Sequence, residues 1–185
     1  DLAIDLYAYG RNLIVDAGSP SYSPGAPAAY IRTSTLAHNT IEINGKAQSK
    51  DVARPTTMDV VDNGAFGFVT ASNQGYTGFV HTRKLLFIHK SHFIVSDHVT
   101  APDGVHTYIQ AWHPPASNKL TIDSDTAIMQ TNMGGANIQV VPSDPQSLEA
   151  IKGVSAVPGN ALEDCVYYRK EGEGTQTYDT LLYPT

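Results

Sequence analysis

The sequence predicts an all-β domain built as an antiparallel, multi-stranded β-sandwich. Short apolar runs alternate with turn residues about every eight to twelve positions, which is typical of a sandwich or a barrel. Glycine (15 residues) and proline (11 residues) are plentiful, and Thr and Tyr are spaced between the apolar runs. Residues that favour helices do not form long amphipathic runs, so the pattern does not indicate a helical fold.

The N-terminal residues predict a β-hairpin. Residues 1–10 alternate between an apolar face and a more polar face, which is the period of a strand. Gly10-Arg11 predicts a two-residue turn, because glycine accepts the positive φ that such turns need. Residues 11–18 then return as a second strand, which brings Asp16 to the end of the hairpin.

The next two segments predict a loop and a second hairpin. Residues 19–29 are rich in Pro, Gly and Ser and predict an irregular surface loop that carries Tyr22. Residues 30–48 contain an alternating half that places His38 at the start of a strand. Asn44-Gly45 at the end of that half is a strong signal for a hairpin turn.

The rest of the chain reads as a succession of strands. After Ala65 the runs with strand character are FGFVTAS, FVHTRKLLFIH, HFIVSDHV, VHTYIQAWH, KLTID, AIMQT, ANIQVV, CVYYRK and TYDTLLYP. The segment SLEAIKG fits either a short helix or one more strand. Trp112 and Tyr108 share a face of their strand and are expected to fill the space between the sheets.

Length and composition limit the function classes. The chain has 185 residues, which predicts one domain over residues 1–185 with a real core. Its net charge of -6 does not predict binding to nucleic acid or to a phospholipid surface. The single Cys165 has no partner for an internal disulfide, and no apolar run reaches the ~20 residues of a membrane helix. No signal peptide is seen, and since Asp1 already lies in a strand pattern, the natural chain is expected to begin earlier.

Two residues carry the interpretation of a metal site. Asp16 ends one strand and His38 begins another, and zinc accepts both carboxylate and imidazole ligands. Taken alone, Asp16 also fits a turn or cap residue, and His38 also fits a partner of a backbone carbonyl. Two ligands are too few for zinc, so the site is incomplete within this sequence. The other six histidines show no spacing typical of a metal motif and are interpreted as ordinary sheet residues: His81, His89, His92, His98, His106 and His113.

Several segments together resemble one protein family. They are YAYGRNLIVDAGSPSY, YIRTSTLAHNTIEINGKAQ, HTRKLLF followed by FIVSDHV, and a closing YDTLLYP. In this order they resemble the C-terminal β-sheet domain of the heparinase II/III-like polysaccharide lyases, a group that includes alginate lyases. The AHNT segment is the most specific of them, and the resemblance covers essentially the whole chain.

The resemblance implies a zinc site shared with residues outside this sequence. In this group a helical toroid precedes the β-domain, and an acidic polysaccharide lies in the cleft between the two. Asp16 resembles the zinc aspartate and His38 resembles the second zinc histidine. The first zinc histidine is expected upstream of Asp1, and the toroid is expected to carry the catalytic tyrosine, so no catalytic residue is assigned within this chain.

The resemblance also implies β-elimination from a uronic acid residue, in a bacterial periplasmic or secreted protein. This reaction needs a neutralised carboxylate, a base for the C5 proton and a general acid. The residues assigned to substrate binding are Tyr22, Tyr30, Arg32 and Asn39. Arg83 either supports the site from a neighbouring strand or forms a structural ion pair.

Three functional hypotheses remain open from the sequence. The first is the β-sandwich domain of a lyase that cleaves alginate or heparin-like glycans, inactive without its helical domain. The second is a non-catalytic carbohydrate-binding or assembly module with the same fold. The third is a self-sufficient metalloenzyme that uses the scattered histidines, and the sequence favours it least.

Overall fold

The computed structural model describes residues 2–17, 26–49, 57–88, 91–115, 119–132, 134–156 and 162–185. The described part contains fourteen strands and one α-helix. In chain order they are β1 (Leu6–Ala8), β2 (Arg11–Ile14), α1 (Ala26–Thr33), β3 (Ile41–Ile43), β4 (Thr57–Asp62), β5 (Phe66–Asn73), β6 (Val80–Ile88), β7 (His92–Thr100), β8 (Val105–Trp112), β9 (Lys119–Ile122), β10 (Met129–Asn132), β11 (Ile138–Pro142), β12 (Glu149–Ala156), β13 (Leu162–Glu173) and β14 (Gln176–Pro184). Short 3-10 turns lie at Thr35–Ala37 and Pro145–Ser147.

The strands form a large sheet, a small sheet and a separate hairpin. The large sheet has the order β4-β5-β6-β7-β14-β11-β10-β9, and the small sheet has the order β12-β13-β8-β3. Within the described residues, strands β1 and β2 pair only with each other. All described pairings are antiparallel, which confirms the predicted all-β antiparallel class.

The two sheets pack face to face, which confirms the sandwich. Strand β14 alternates buried and outward residues, so that Tyr178, Thr180 and Leu182 face the core. The hydroxyl of Tyr178 donates to the carbonyl of Tyr108 in the small sheet at 3.0 Å. Tyr108 and Trp112 are fully buried, as the sequence predicts.

Two hairpin turns follow from local backbone chemistry. Asn44 and Gly45 both have positive φ (54° and 64°), the geometry that the Asn-Gly pair predicts. At the first hairpin, Tyr9 and Gly10 have φ of 51° and 82°, and Ala8 pairs with Arg11. The central residues of that turn are therefore Tyr9-Gly10, and the predicted Gly10-Arg11 placement is wrong by one residue.

Two local predictions differ from the structure, and one ambiguity is resolved by it. Helix α1 occupies residues 26–33, where the Pro-rich composition predicts an irregular loop through residue 29. The strand predicted to start at His38 starts at Ile41, because a 3-10 turn precedes it. The segment SLEAIKG contributes to strand β12, which settles its ambiguity in favour of a strand. Among the described residues, no helix is long and apolar enough to span a bilayer.

Candidate metal and substrate site at the end of the sandwich

Asp16 and His38 lie in direct contact at one end of the sandwich. His38 Nδ1 and Asp16 Oδ2 are 2.8 Å apart, although the residues are 22 positions apart in sequence. Their side chains keep 21% and 22% of their surface exposed, so solvent and solutes reach the pair. The common location predicted for these two side chains is therefore present, while their role as metal ligands stays a prediction.

The backbone around Asp16 is held from two sides. The N–H of Val15 donates to the carbonyl of His113 at 2.8 Å, which attaches the end of β2 to the end of β8. The N–H of Asp16 itself donates to the side-chain carboxylate of Asp5. These bonds fix the direction in which the Asp16 side chain leaves the hairpin.

His38 is positioned by the short turn that precedes it. Its backbone N–H donates to the carbonyl of Thr35 and closes the 3-10 turn. Its second ring nitrogen, Nε2, lies 3.2 Å from the carbonyl oxygen of Ile31 in helix α1. The ring therefore spans the space between the Asp16 carboxylate and the C-terminal turn of the helix.

Asn39 is a buried anchor for the strand ends around the pair. Its side-chain amide donates to the carbonyl of Ile4 at 2.9 Å. Its side-chain oxygen accepts the backbone N–H of His113 at 2.8 Å and faces His113 Nδ1 at 2.9 Å. With no exposed surface, Asn39 fixes the N-terminal segment to β8. The assignment of Asn39 to substrate binding is untested, and the observed contacts give it a structural role.

A buried network of charged side chains bonds to the backbone of Asn39. Arg83 makes two bonds to the Asp97 carboxylate, Nε to Oδ1 at 2.6 Å and Nη2 to Oδ2 at 2.7 Å. Arg83 Nη1 also donates to the carbonyls of Asn39 and Leu2. His81 Nε2 lies 2.7 Å from the same carboxylate. Of the two readings left open for Arg83, the structure shows the ion pair, and that pair fixes the backbone next to His38.

The charges in this network determine the protonation of Asp97. Burial by itself raises the pKa of Asp97, because a buried carboxylate loses its hydration. The Arg83 guanidinium and the His81 ring outweigh that effect and hold the pKa of Asp97 well below its usual range. Asp97 is therefore ionised at every pH at which the fold is expected to persist.

His113 forms the buried floor beneath the pair. Burial lowers the pKa of His113 to about 4, and the carbonyl of Leu36, 2.9 Å from Nε2, only partly opposes this shift. The neutral ring packs edge-on against Tyr167, with the ring centres 6.5 Å apart. At neutral pH the uncharged ring adds bulk and donates one hydrogen bond, from whichever of its two nitrogens carries the proton.

Tyr30 and Tyr167 form the aromatic wall of the site. Their hydroxyl oxygens are 3.4 Å apart, which connects helix α1 to strand β13. The Tyr167 ring lies across Gly153 of β12, where an added Cβ would stand 2.2 Å from a ring carbon. The lack of a side chain at Gly153 therefore determines where the ring lies.

The chemistry of the pair fits zinc, but the number of ligands is too small. Carboxylate oxygen and imidazole nitrogen are both zinc ligands, and neighbouring ligand atoms of a tetrahedral zinc lie roughly 3.3 Å apart. The observed 2.8 Å between Asp16 and His38 is slightly shorter than that separation. Across the described residues, no group of three or more His, Cys, Asp or Glu side chains is placed to hold an ion. Asp16 and His38 fit two ligands of a zinc site that needs another ligand from elsewhere.

The structure describes the other predicted site residues to different extents. Tyr22 lies outside the described residues, and Arg32 is described only as part of the backbone of α1. Tyr30 is half-buried and packs against Ala17 and Ala37, the sequence neighbours of Asp16 and His38. Sequence reasoning missed Asp5, His113 and Tyr167 as neighbours of the site. Of these, only Asp5 carried a local signal, since it precedes the hairpin whose return strand delivers Asp16.

Comparison with known proteins places the chain in a family. The family model described as "Heparinase II/III-like, C-terminal" matches residues 1–175. The chain is 28% identical over 193 residues to the heparin-sulfate lyase of Pedobacter heparinus, a match that covers 97% of this chain and 28% of that protein. It is similar in structure to the heparan sulfate lyase HepC of P. heparinus (TM-score 0.81, 20% identity, 98% of this chain and 30% of that one).

A second solved structure, described as heparinase III, gives a TM-score of 0.75 at 21% identity and covers 99% of this chain and 29% of that one. These structural likenesses establish a shared fold. The chain spans less than a third of the length of each of these relatives. Because the family model covers nearly all of the sequence, this chain belongs to the heparinase II/III-like C-terminal domain family.

Proposed function

We propose that this chain is the β-sandwich domain of a polysaccharide lyase that cleaves heparin- or heparan-sulfate-like glycans by β-elimination. One observation carries the proposal: the Asp16–His38 pair lies open to solvent at the end of the sandwich. Tyr30 packs against Ala17 and Ala37, the sequence neighbours of the two residues. The similarity to a heparin-sulfate lyase favours a sulfated uronic-acid glycan over alginate. The acidic chain needs local cations to hold such a ligand, and Arg32 in helix α1 is assigned to that task.

In this proposal Asp16 and His38 hold zinc together with a third ligand outside the described residues. The bound ion would supply a fixed positive charge that orders the rim of the substrate cleft. Asp5 and Asn39 keep the two ligands in place through the backbone bonds described above. Tyr30, supported by Tyr167, presents its phenol ring to the sugar and contributes binding.

Proton transfer is assigned to a helical domain of the same polypeptide and not to the residues described here. The base must reach the C5 proton of the uronate, and the acid must reach the glycosidic oxygen. We therefore expect the 185-residue chain to have no activity alone. A periplasmic or secreted location belongs to the same proposal, because extracellular glycans are the substrate.

The activity is tested with the protein expressed from its complete coding sequence. Ultraviolet absorbance of the unsaturated uronate should rise with heparan sulfate and not with alginate, and the 185-residue chain alone should give no rise. Robust turnover by the chain alone would refute the need for another domain. Preference for alginate would shift the proposal to the other substrate class within the family.

The metal is tested separately, without an activity readout. Zinc content after dialysis should approach one ion per molecule in the protein from the complete coding sequence, and it should fall strongly in His38→Ala and in Asp16→Asn. His98→Ala is the matched control, since His98 is exposed on a strand of the large sheet. Equal zinc content in all four proteins would remove zinc from the proposal and leave the lyase assignment to the absorbance assay.

A non-catalytic carbohydrate-binding module is the second candidate. The half-buried aromatic pair Tyr30–Tyr167 is the observation that favours it, because aromatic walls also serve plain glycan binding. Glycan binding by the 185-residue chain that is insensitive to His38→Ala, combined with no turnover by the protein from the complete coding sequence, would select it.

A further inference from the structure

Arg83 uses the two edges of its guanidinium group for different partners. On one edge, Nε and Nη2 form the ion pair with Asp97. On the other edge, Nη1 donates to the backbone carbonyls of Leu2 at 2.7 Å and of Asn39 at 2.5 Å. The side chains of Arg83 and Asp97 are only 4% and 0% exposed. The ion pair therefore anchors the guanidinium in the core, and the Nη1 edge bonds to the two carbonyls.

The two carbonyls belong to the chain segments that lie next to the candidate metal ligands. Asn39 directly follows His38, so the bond to its carbonyl fixes the peptide beside the imidazole. Leu2 belongs to residues 2–5, which precede β1 and lie in no strand. Because sheet pairing does not hold this segment, the side chains that bond to it determine where it lies.

A second hydrogen bond connects the segment 2–5 to the other ligand. The carboxylate of Asp5 accepts the backbone N–H of Asp16. Leu2 and Asp5 are three residues apart, so a displacement of the Leu2 carbonyl also moves the Asp5 carboxylate and the Asp16 backbone that is bonded to it. One nitrogen of Arg83 therefore links the segment beside His38 to the segment that holds Asp16.

The number of donors explains why this position needs an arginine. The observed bonds use four of the five N–H groups of the guanidinium, one on Nε, one on Nη2 and two on Nη1. Asn39 makes a parallel link, since its side-chain amide donates to the carbonyl of Ile4 at 2.9 Å. Only Arg83 connects both segments to the buried carboxylate of Asp97.

We propose that Arg83 is a positioning residue for the Asp16–His38 metal pair. It acts through the carbonyls of Leu2 and Asn39 and does not touch the ion. This role rests on the proposed function, because it takes the pair to hold zinc. Groups that orient metal ligands from outside the coordination shell change metal affinity roughly 10- to 100-fold when they are replaced.

Arg83→Lys separates the two roles of the side chain. Lysine keeps a positive charge beside Asp97, but its single ammonium nitrogen cannot reach the carboxylate and both carbonyls together. In the protein from the complete coding sequence, zinc affinity measured by competition with a chelator should fall at least tenfold. The visible absorption spectrum of the cobalt-substituted protein should also change, because it reports the geometry of the coordinating atoms.

Ile138→Ala is the control for a loss of stability without a change at the site. Ile138 is fully buried in β11, three strands from β6 in the large sheet and about 14 Å away at the usual strand spacing. Its truncation destabilises the core, and its side chain makes no hydrogen bond to the site. Zinc affinity and the cobalt spectrum should stay those of wild type. Wild-type affinity in Arg83→Lys, or an equal fall in both variants, would overturn the proposal.

Asp5 provides a second test that does not disturb the core, because this residue is exposed. Asp5→Ala removes the acceptor of the Asp16 N–H and should weaken zinc binding, whereas Asp5→Asn keeps a carbonyl oxygen there and should retain most of the affinity. Equal losses in the two Asp5 variants would break the path from Arg83 to Asp16, and they decide the outcome if Arg83→Lys does not fold. Wild-type protein that takes up no metal would remove zinc from the proposed function and this role with it, whereas zinc uptake that is insensitive to Arg83→Lys would overturn the role of Arg83 alone.

Discussion

Two histidine–aspartate pairs of almost equal length lie in opposite surroundings in this protein. His81 and Asp97 are 2.7 Å apart with side chains 1% and 0% exposed, whereas His38 and Asp16 are 2.8 Å apart with about a fifth of their surface exposed. The buried pair has Arg83 as a further partner. The same two residue types therefore form a structural anchor in one place and a solvent-accessible pair, for which we propose zinc binding, in the other.

The two carboxylates differ in whether a further ligand can reach their oxygens. Both oxygens of Asp97 are occupied, by Arg83, by His81 and by the Gln110 amide at 2.9 Å. A metal ion could bind there only by breaking a network that holds both sheets together. Asp16 is in contact with solvent, so a ligand can approach it without disrupting the core.

Removal of the Asp97 charge should give the largest effect. Asp97→Asn leaves the Arg83 guanidinium buried without a carboxylate, and such a loss destabilises proteins by about 3–5 kcal/mol. Urea unfolding followed by circular dichroism measures the change. Asp59→Asn, at an exposed position of β4, is the control and should shift the midpoint very little. Equal, small shifts in both variants would show that the network does not support the fold.

Acidification should give the next largest effect, through His113. The folded pKa is about 4 and the unfolded value is about 6.5, so the unfolded chain binds the proton first as the pH falls. The contribution of the uncharged His113 ring to the free energy of unfolding is complete above pH 6.5. It is lost as the pH falls from 6.5 to 4, and the loss is roughly 3 kcal/mol in total.

The His113 prediction has two measurements. The wild-type free energy of unfolding should fall between pH 7 and pH 4.5 more steeply than that of His113→Gln. His98→Gln, which changes an exposed histidine, should keep the wild-type slope. An NMR titration in which the His113 ring takes up its proton near pH 6.5 would contradict the assignment.

Local patterns predicted the elements but not the neighbours of the site. Asn44-Gly45 encodes its turn within two residues, and the alternation of β14 encodes its inner face. His113 and Tyr167 reach the site from strands far along the chain, and no local pattern records such pairing. Helix α1 was missed because Pro and Gly just before it dominate the composition, although Ala26–Thr33 is compatible with helix.

Residue type and position at strand ends make Asp16 and His38 candidate metal ligands, and the family resemblance joins them in one site. The contact depends on the β2–β8 connection and on Asn39, and both of these are long-range. The burial of Asn39 was not foreseen for the same reason. The alternation places Asn39 on one face with Ile41 and Ile43, but the groups that bury its side-chain amide come from the N-terminus and from β8.

Addition of one methyl group at Gly153, which lies against the Tyr167 ring, should have an intermediate effect on stability. Gly153→Ala pushes the Tyr167 ring away from a position 2.2 Å from the new atom, and such overpacking destabilises by about 1–3 kcal/mol. Gly172→Ala is the matched control, because the atom it meets is the end of the flexible Gln176 side chain. Near-ultraviolet circular dichroism should change only in the first variant. Unchanged spectra and stability would show that the ring has another place to lie.

Neutralisation of Asp16 should give the smallest change in stability. The Asp16–His38 contact is partly hydrated, and contacts that solvent screens in this way contribute about 0–1 kcal/mol. Asp16→Asn keeps the shape of the side chain, so the urea midpoint should stay close to that of wild type while zinc uptake by the protein from the complete coding sequence falls. A residue whose role is to bind a ligand contributes little to the stability of the fold when that ligand is absent. A loss of stability comparable to that of Asp97→Asn would therefore mean that both pairs are structural.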